Sequence, residues 1–143
     1  AVKRSTKEQV SIFTAERKEI ERRLGPHRNS VPDVLRLLKK GAQNLTKLRH
    51  PHILRVVDPL VESKTDLFFV TEPVLASLDN LLGNADGVQD PQQAIRNYKT
   101  SFLETQMAAC ALLEALRFLH QDARMMHLNL AACNMLVTTA GEW

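Results

Sequence analysis

A chain of 143 residues, 44% apolar and 24% charged, is long enough to bury a core and too apolar to stay disordered. Its longest apolar run, Met107 to Leu113, stops at Glu114, well short of the roughly 20 residues a membrane-spanning helix needs, and the basic opening AVKRSTKEQ has no apolar stretch of the kind a secretory signal requires. The net charge of +3 hides an imbalance: residues 1–55 carry 14 Lys+Arg against 5 Asp+Glu, a surplus of 9, whereas the remainder carries 5 against 11, a deficit of 6. A positive N-terminal third suits an acidic partner, an anionic lipid surface or nucleic acid, and equally a plain solvated face.

In chain order, VSIF (Val10–Phe13) is a β-prone run in a polar setting and reads as a strand entered through a turn around Thr6 to Glu8. The charged stretch AERKEIERRLGPHRNS reads as a helix in its first half and a loop in its second, where Gly-Pro and Asn-Ser interrupt it. Ser30 and Asp33 stand three apart like a capping box, and Val34, Leu38, Ala42, Leu45 and Leu48 recur at helical spacing, so a helix is expected from about Pro32 to Arg49. Gly41 falls inside it, where glycine costs about 1 kcal/mol relative to alanine. HILRVVDPLVES and DLFFVTE, joined by Ser63-Lys64-Thr65-Asp66, form the pattern of an antiparallel hairpin.

ASLDNLLG reads as a short helix closed by Gly83 in the position after the C-cap, and residues 84–97 read as a mobile polar loop. Ser101 and Glu104 make a second capping box. The helix that follows runs to about His120, with an apolar stripe of Leu103, Met107, Cys110, Leu113, Leu116 and Phe118 or Leu119. Then come the loop MMHLNLAACNMLV, a strand within NMLVT and the turn TAGE. Cys110 and Cys133 are expected as free thiols, which suits a reducing compartment. His27, His50, His52 and His120 have no zinc-ligand spacing, so no metal site follows from them.

The stretch LLEALRFLHQDARMMHLNLAACNMLV resembles the segment of protein kinases in which a helix ending in Leu-His leads to the catalytic loop His-Arg-Asp-Leu-x-x-x-Asn. Laid on that pattern, His127 keeps the scaffold His, Leu128 stands for Arg, Asn129 for the catalytic Asp, and Asn134 for the metal-binding Asn. An amide carries neither the charge nor the basic lone pair of a catalytic carboxylate, so Asn129 cannot serve as the base. RHPHIL resembles the turn after the kinase helix C, which places Gly41 where that helix carries its Glu. VSIF resembles Val-Ala-Ile-Lys, which places Phe13 where the nucleotide-contacting Lys stands. Both halves of the Lys–Glu pair are replaced. An absent side chain at Gly41 is expected to let the Phe13 ring pack close to the helix.

FFVTEPV resembles the fifth strand and hinge, with Thr71 as gatekeeper and Glu72, Pro73 and Val74 as the hinge; a small gatekeeper leaves room for an adenine ring near Thr71, Glu72 and Val74, although Pro73 lacks one backbone donor. VSIF, LKKGAQNLTKLRHPHIL and TEPVLASLDNLLGN together resemble the Scy-like pseudokinases, in particular the coated-vesicle-associated kinase branch. The ending LAACN departs from the Pro-Glu-Asn of that family, which counts against magnesium at Asn134. The resemblance implies an α+β, protein-kinase-like fragment running from the end of strand 2 to just before the Asp-Phe-Gly segment: residues 1–72 as part of an N-lobe, and residues 73–143 as hinge and the beginning of a helical C-lobe.

By the same resemblance the function is that of a catalytically impaired adaptor or scaffold in clathrin-coated vesicle traffic, cytoplasmic and peripheral to Golgi and endosomes, with coat or adaptor proteins as partners. No cofactor is required, and ATP binding is left open. Two rival readings stand beside it: a weak or atypical kinase, for which Lys3, Lys7 or Lys18 would have to approach phosphate, and a basic module for lipid or nucleic acid. Nucleic acid is disfavoured, because no aromatic side chains interleave with ERKEIERR or LRLLKK to stack on bases.

Overall fold

The computed structural model describes residues 1–3, 7–84, 95 and 98–143. Its contacts divide the chain into two compact units, Ala1–Arg49 with Leu54–Pro73, and His50–Ile53 with Val74–Trp143. The boundary thus falls after Pro73, and the short turn His50–Ile53 goes with the second unit.

The first unit is built on a three-stranded antiparallel sheet. Strand β1 (Ser11–Glu16) and strand β2 (Val56–Glu62) flank the central β3 (Asp66–Thr71). The expected hairpin is present, closed by the Ser63 hydroxyl, which accepts from the Thr65 and Asp66 amides. β1 pairs with β3 without interruption, Ser11 opposite Thr71 and Phe13 opposite Phe69. β2 is bulged either side of Asp58; Pro59 has no N–H to give the ladder and sits on an edge strand, where that loss is tolerated. Ahead of β1, Val2 and Gln9 are bridged antiparallel, so the chain does enter the strand through a bend, of which Thr6 lies outside the described residues.

Helix α1 (Arg17–Leu24) follows β1 directly, as expected from its charged sequence. GPHRNS, expected as a loop, is instead a 3-10 helix over Gly25–Ser30 that runs straight into α2 (Val31–Lys47). That continuity removes the expected capping box. Ser30 is already helical, at φ −85° and ψ −3°, and its side chain makes no cap hydrogen bond, whereas a capping serine needs an extended backbone. Asp33 pairs with Arg36 at 3.0 Å instead. Leu35 and Ala42 are the buried residues of α2, and with Val10, Val56, Leu67 and Thr71 they are the buried ones among the described residues of this unit.

In the second unit, β4 (Val74–Ser77) pairs with β5 (Leu136–Thr138), and α3 (Leu78–Leu81) lies between them in sequence. Gly83 stands after the C-cap Leu82 with φ 98°, a left-handed conformation that favours glycine. Ala76, Leu81 and Val137 form a small core against which Ile95, Tyr98 and Trp143 pack. The polar loop expected over 84–97 lies outside the described residues except for Asn84 and Ile95.

The long helix α4 (Phe102–Arg117) begins at the expected capping box. The Ser101 hydroxyl accepts from the Glu104 amide at 3.2 Å, and the Glu104 carboxylate accepts from the Ser101 amide at 2.7 Å. Its packing differs from expectation. The buried residues are Ala108, Ala111 and Ala115, continued by Leu119, while Leu103, Met107, Cys110 and Leu113 are exposed. FLETQMAACALLEALR is apolar on more than one side, so periodicity alone does not choose between its faces; the alanine face is the buried one.

Candidate functional site

The loop expected to hold the chemistry is launched from the end of α4. The helix widens into a single π-type turn at Phe118–Asp122, the Ala123 amide donates to the Phe118 carbonyl, and the Met125 amide donates to the Leu119 carbonyl at 2.7 Å. Arg124 at φ 50° then turns the chain away. His127, Leu128 and Asn129 follow with exposed side chains, and Leu128 sits at φ 60°. A non-glycine residue there meets a steric penalty of roughly 1–2 kcal/mol. A 3-10 turn at Ala132–Asn134 brings the chain back to β5.

One side-chain bond closes the loop. The Asn134 amide nitrogen donates to the backbone carbonyl of Asn129 at 3.0 Å. Two of the residues singled out from sequence are thus brought together, and the contact uses the main chain of residue 129 rather than its side chain. His127 makes no hydrogen bond with another described residue. Among the described residues no group of three His, Cys, Asp or Glu could hold a metal ion, and Asn134 itself offers one amide oxygen.

In the first unit, Phe13 lies mid-strand and its ring stacks on Phe69, with centroids 5.3 Å apart and planes 9° from parallel. The expected approach of Phe13 to Gly41 does not occur as foreseen: Gly41 is exposed, and a Cβ placed on it meets no atom within 4 Å. The cross-strand partner captures the ring because directly opposed residues bring their side chains within stacking distance. β1 contains no Lys, and the acid of α2 is Asp33, which pairs with Arg36. A Lys–Glu pair between these two elements is therefore not rebuilt from neighbouring positions.

A different ion pair joins helix to sheet, and motif spacing did not point to it. Lys39 of α2 reaches Glu62 of β2 at 2.7 Å, and Arg17 meets the other oxygen of the same carboxylate at 2.6 Å. These cations, Lys39 foremost, hold the Glu62 carboxyl below the usual carboxylate range. The only clue in the sequence was a cation and an acid far apart on amphipathic elements, which many pairs satisfy. Of the lysines considered for phosphate, Lys3 is engaged by Asp58 at 2.7 Å.

Thr71 closes β3, has 0% of its surface exposed, and donates its hydroxyl proton to the Glu72 carbonyl at 2.9 Å. Glu72 is tied to the segment before β2, its carboxylate accepting from the Arg55 amide at 2.6 Å and its own amide donating to the Arg55 carbonyl at 3.1 Å. Val74 opens β4 in the second unit. The turn His50–Ile53 is held within that unit: His50 stacks on Phe118 at 4.9 Å, and His52 lies 3.1 Å from the Trp143 carbonyl through Nδ1 and 3.4 Å from Glu114 through Nε2.

Residues 27–142 match the family model described as protein tyrosine and serine/threonine kinase. This chain belongs to the protein kinase family, in its SCY1-like group. Human SCY1-like protein 2 is 39% identical over 142 residues, which is 99% of this chain and 15% of that protein. The Schizosaccharomyces pombe protein named protein kinase domain-containing protein ppk32 is 32% identical over 154 aligned residues, covering 100% of this chain and 20% of that one. A Dictyostelium discoideum relative, named probable inactive serine/threonine-protein kinase scy1, is 30% identical over 112 residues, or 78% of this chain and 12% of its own length. As a kinase-family chain with a mixed α+β fold, it has Phe13 on β1, Gly41 on α2 and Asn129 in the loop before β5.

Proposed function

We propose that this kinase-like domain is catalytically impaired and serves as an adaptor or scaffold in clathrin-coated vesicle traffic, on the cytoplasmic side of Golgi and endosomal membranes. The observation that carries the impaired half is the joint replacement at Phe13, Gly41 and Asn129, with no carboxylate on α2 beyond Asp33 to stand in. Phosphoryl transfer works through positioning and charge stabilisation, and these three positions supply neither ammonium nor carboxylate. The vesicle half is supported by the resemblance to SCY1-like proteins and by the basic N-terminal third, which suits an anionic membrane surface.

The test is made on the full-length protein. Asn129→Asp alone is expected to leave phosphotransfer at background, measured at protein concentrations above any contaminating kinase, because the Lys–Glu pair is still missing. Clear activity from that single variant would overturn the impaired reading. Wild type, Phe13→Lys and Asn129→Asp should all co-fractionate with clathrin-coated vesicles to the same extent; failure of the wild type to do so removes the adaptor half.

A further inference from the structure

Basic side chains from two elements surround one cavity of the first unit. Its volume is about 470 Å³; Pro32 and the buried Leu35 give it an apolar wall, and Arg17, Arg36, Lys39, Lys40 and Gln43 line the rest. Two acids answer these four cations. Glu62 takes Arg17 and Lys39 together, and Asp33 takes Arg36. Lys40 has no ion pair among the described residues. Arg17 Nε is shut off from solvent and has no hydrogen-bond acceptor. A surplus of two positive charges on one face calls for an oxygen-rich anion.

The shape narrows the class. An open depression of this size has room for a small molecule rather than for one phosphate ion alone, and cations contributed by the start of α1 and two turns of α2 can address more than one phosphate at once. A guanidinium and several ammonium groups suit phosphate oxygens. No aromatic side chain lines the cavity to stack on a base, which weighs against a nucleotide, whereas Leu35 and Pro32 suit the face of a saturated ring. We propose that this cavity binds a multiply phosphorylated inositol ring, free or as the head group of a membrane phosphoinositide. It deepens the expectation that the basic third meets anionic lipid, and it stands apart from the degenerate kinase positions.

The full-length protein is titrated calorimetrically with inositol trisphosphate, and its flotation is measured on phosphatidylcholine vesicles holding phosphatidylinositol bisphosphate or, at equal charge, phosphatidylserine. Arg17→Gln/Lys40→Gln is expected to weaken trisphosphate binding about tenfold or more, and the exposed single change Lys40→Gln to weaken it measurably with an unchanged melting curve. Arg28→Gln/Lys47→Gln, which removes equal charge away from the cavity, should stay within about twofold of wild type. Bisphosphate-vesicle binding lost in the first double variant assigns the lipid head group; trisphosphate binding without vesicle binding assigns the free ligand. The proposal is overturned by no trisphosphate binding, by equal loss in the charge-matched control, or by binding of a phosphopeptide alone. A protein that fails to join coated vesicles yet binds trisphosphate keeps this site and loses the adaptor reading; one that joins coated vesicles yet binds no trisphosphate does the reverse.

Discussion

Gly41 and Leu128 are each ill-matched to their backbone, and in opposite directions. Glycine at 41 weakens a helix that has open space around it, so Gly41→Ala should stabilise the protein by about 0.5–1 kcal/mol, read as a higher denaturant midpoint with unchanged slope. A lower midpoint would mean that the glycine serves a contact. Leu128 is 84% exposed at φ 60°, and Leu128→Gly should relieve part of the steric penalty and gain about 0.5 kcal/mol after the entropy of the added glycine. Motif spacing singled out Phe13, Gly41, Asn129 and Asn134 because it depends on order along the chain. It could not foresee that Phe13 stacks on Phe69, since that partner is chosen by strand register, nor that Gly41 faces open space.

At the scale of the element, the two capping boxes read from sequence met different fates. Ser101 has the extended backbone a cap needs, at φ −78° and ψ 162°, while Ser30 has been drawn into the preceding 3-10 helix. Ser101→Ala should therefore cost about 1 kcal/mol, and Ser30→Ala much less, in the same denaturation experiment. Glu104 adds a pH signature. Its carboxyl is held below the usual range, first by the Ser101 amide and then by the Tyr98 hydroxyl, which donates at 2.8 Å. A depressed folded pKa gives stability that is complete above the unfolded value of about 4.3 and is lost as pH falls through the folded one. Tyr98, raised by the same carboxylate, gives stability that is present below about pH 10 and lost as pH climbs through its folded value. Glu104→Gln should flatten both limbs of the stability profile; an unchanged acid limb would contradict the assignment. Most strands and helices were legible because hydrophobic period and turn residues are local; the four-residue β4 was not, since so short a run shows no alternation. The buried face of α4 was not, because an all-round apolar helix has its orientation set by what packs on it.

At the scale of the molecule, the order expected along the chain, strand, helix, hairpin, helix and last short strand, recurs with one strand more: β4 (Val74–Ser77) stands where a hinge and the start of a helix were expected. Much of the apolar surface of α4 and the following loop stays uncovered. Phe102, Leu103, Met107 and Leu113 on α4, and Met126, Leu128 and Leu130 on the loop, are all more than half exposed, and such patches drive association. The 143-residue chain on its own should self-associate at rising concentration in sedimentation velocity, and Leu103→Gln/Leu113→Gln should suppress this while changing stability by only about 0.5 kcal/mol; unaltered association would place the sticky surface elsewhere. The clasp between Asn134 and residue 129 has a broader consequence. It grips a peptide oxygen that any amino acid at that position would provide. The corner is therefore held by main-chain atoms, and the side chain at 129 can be exchanged without unfastening the loop.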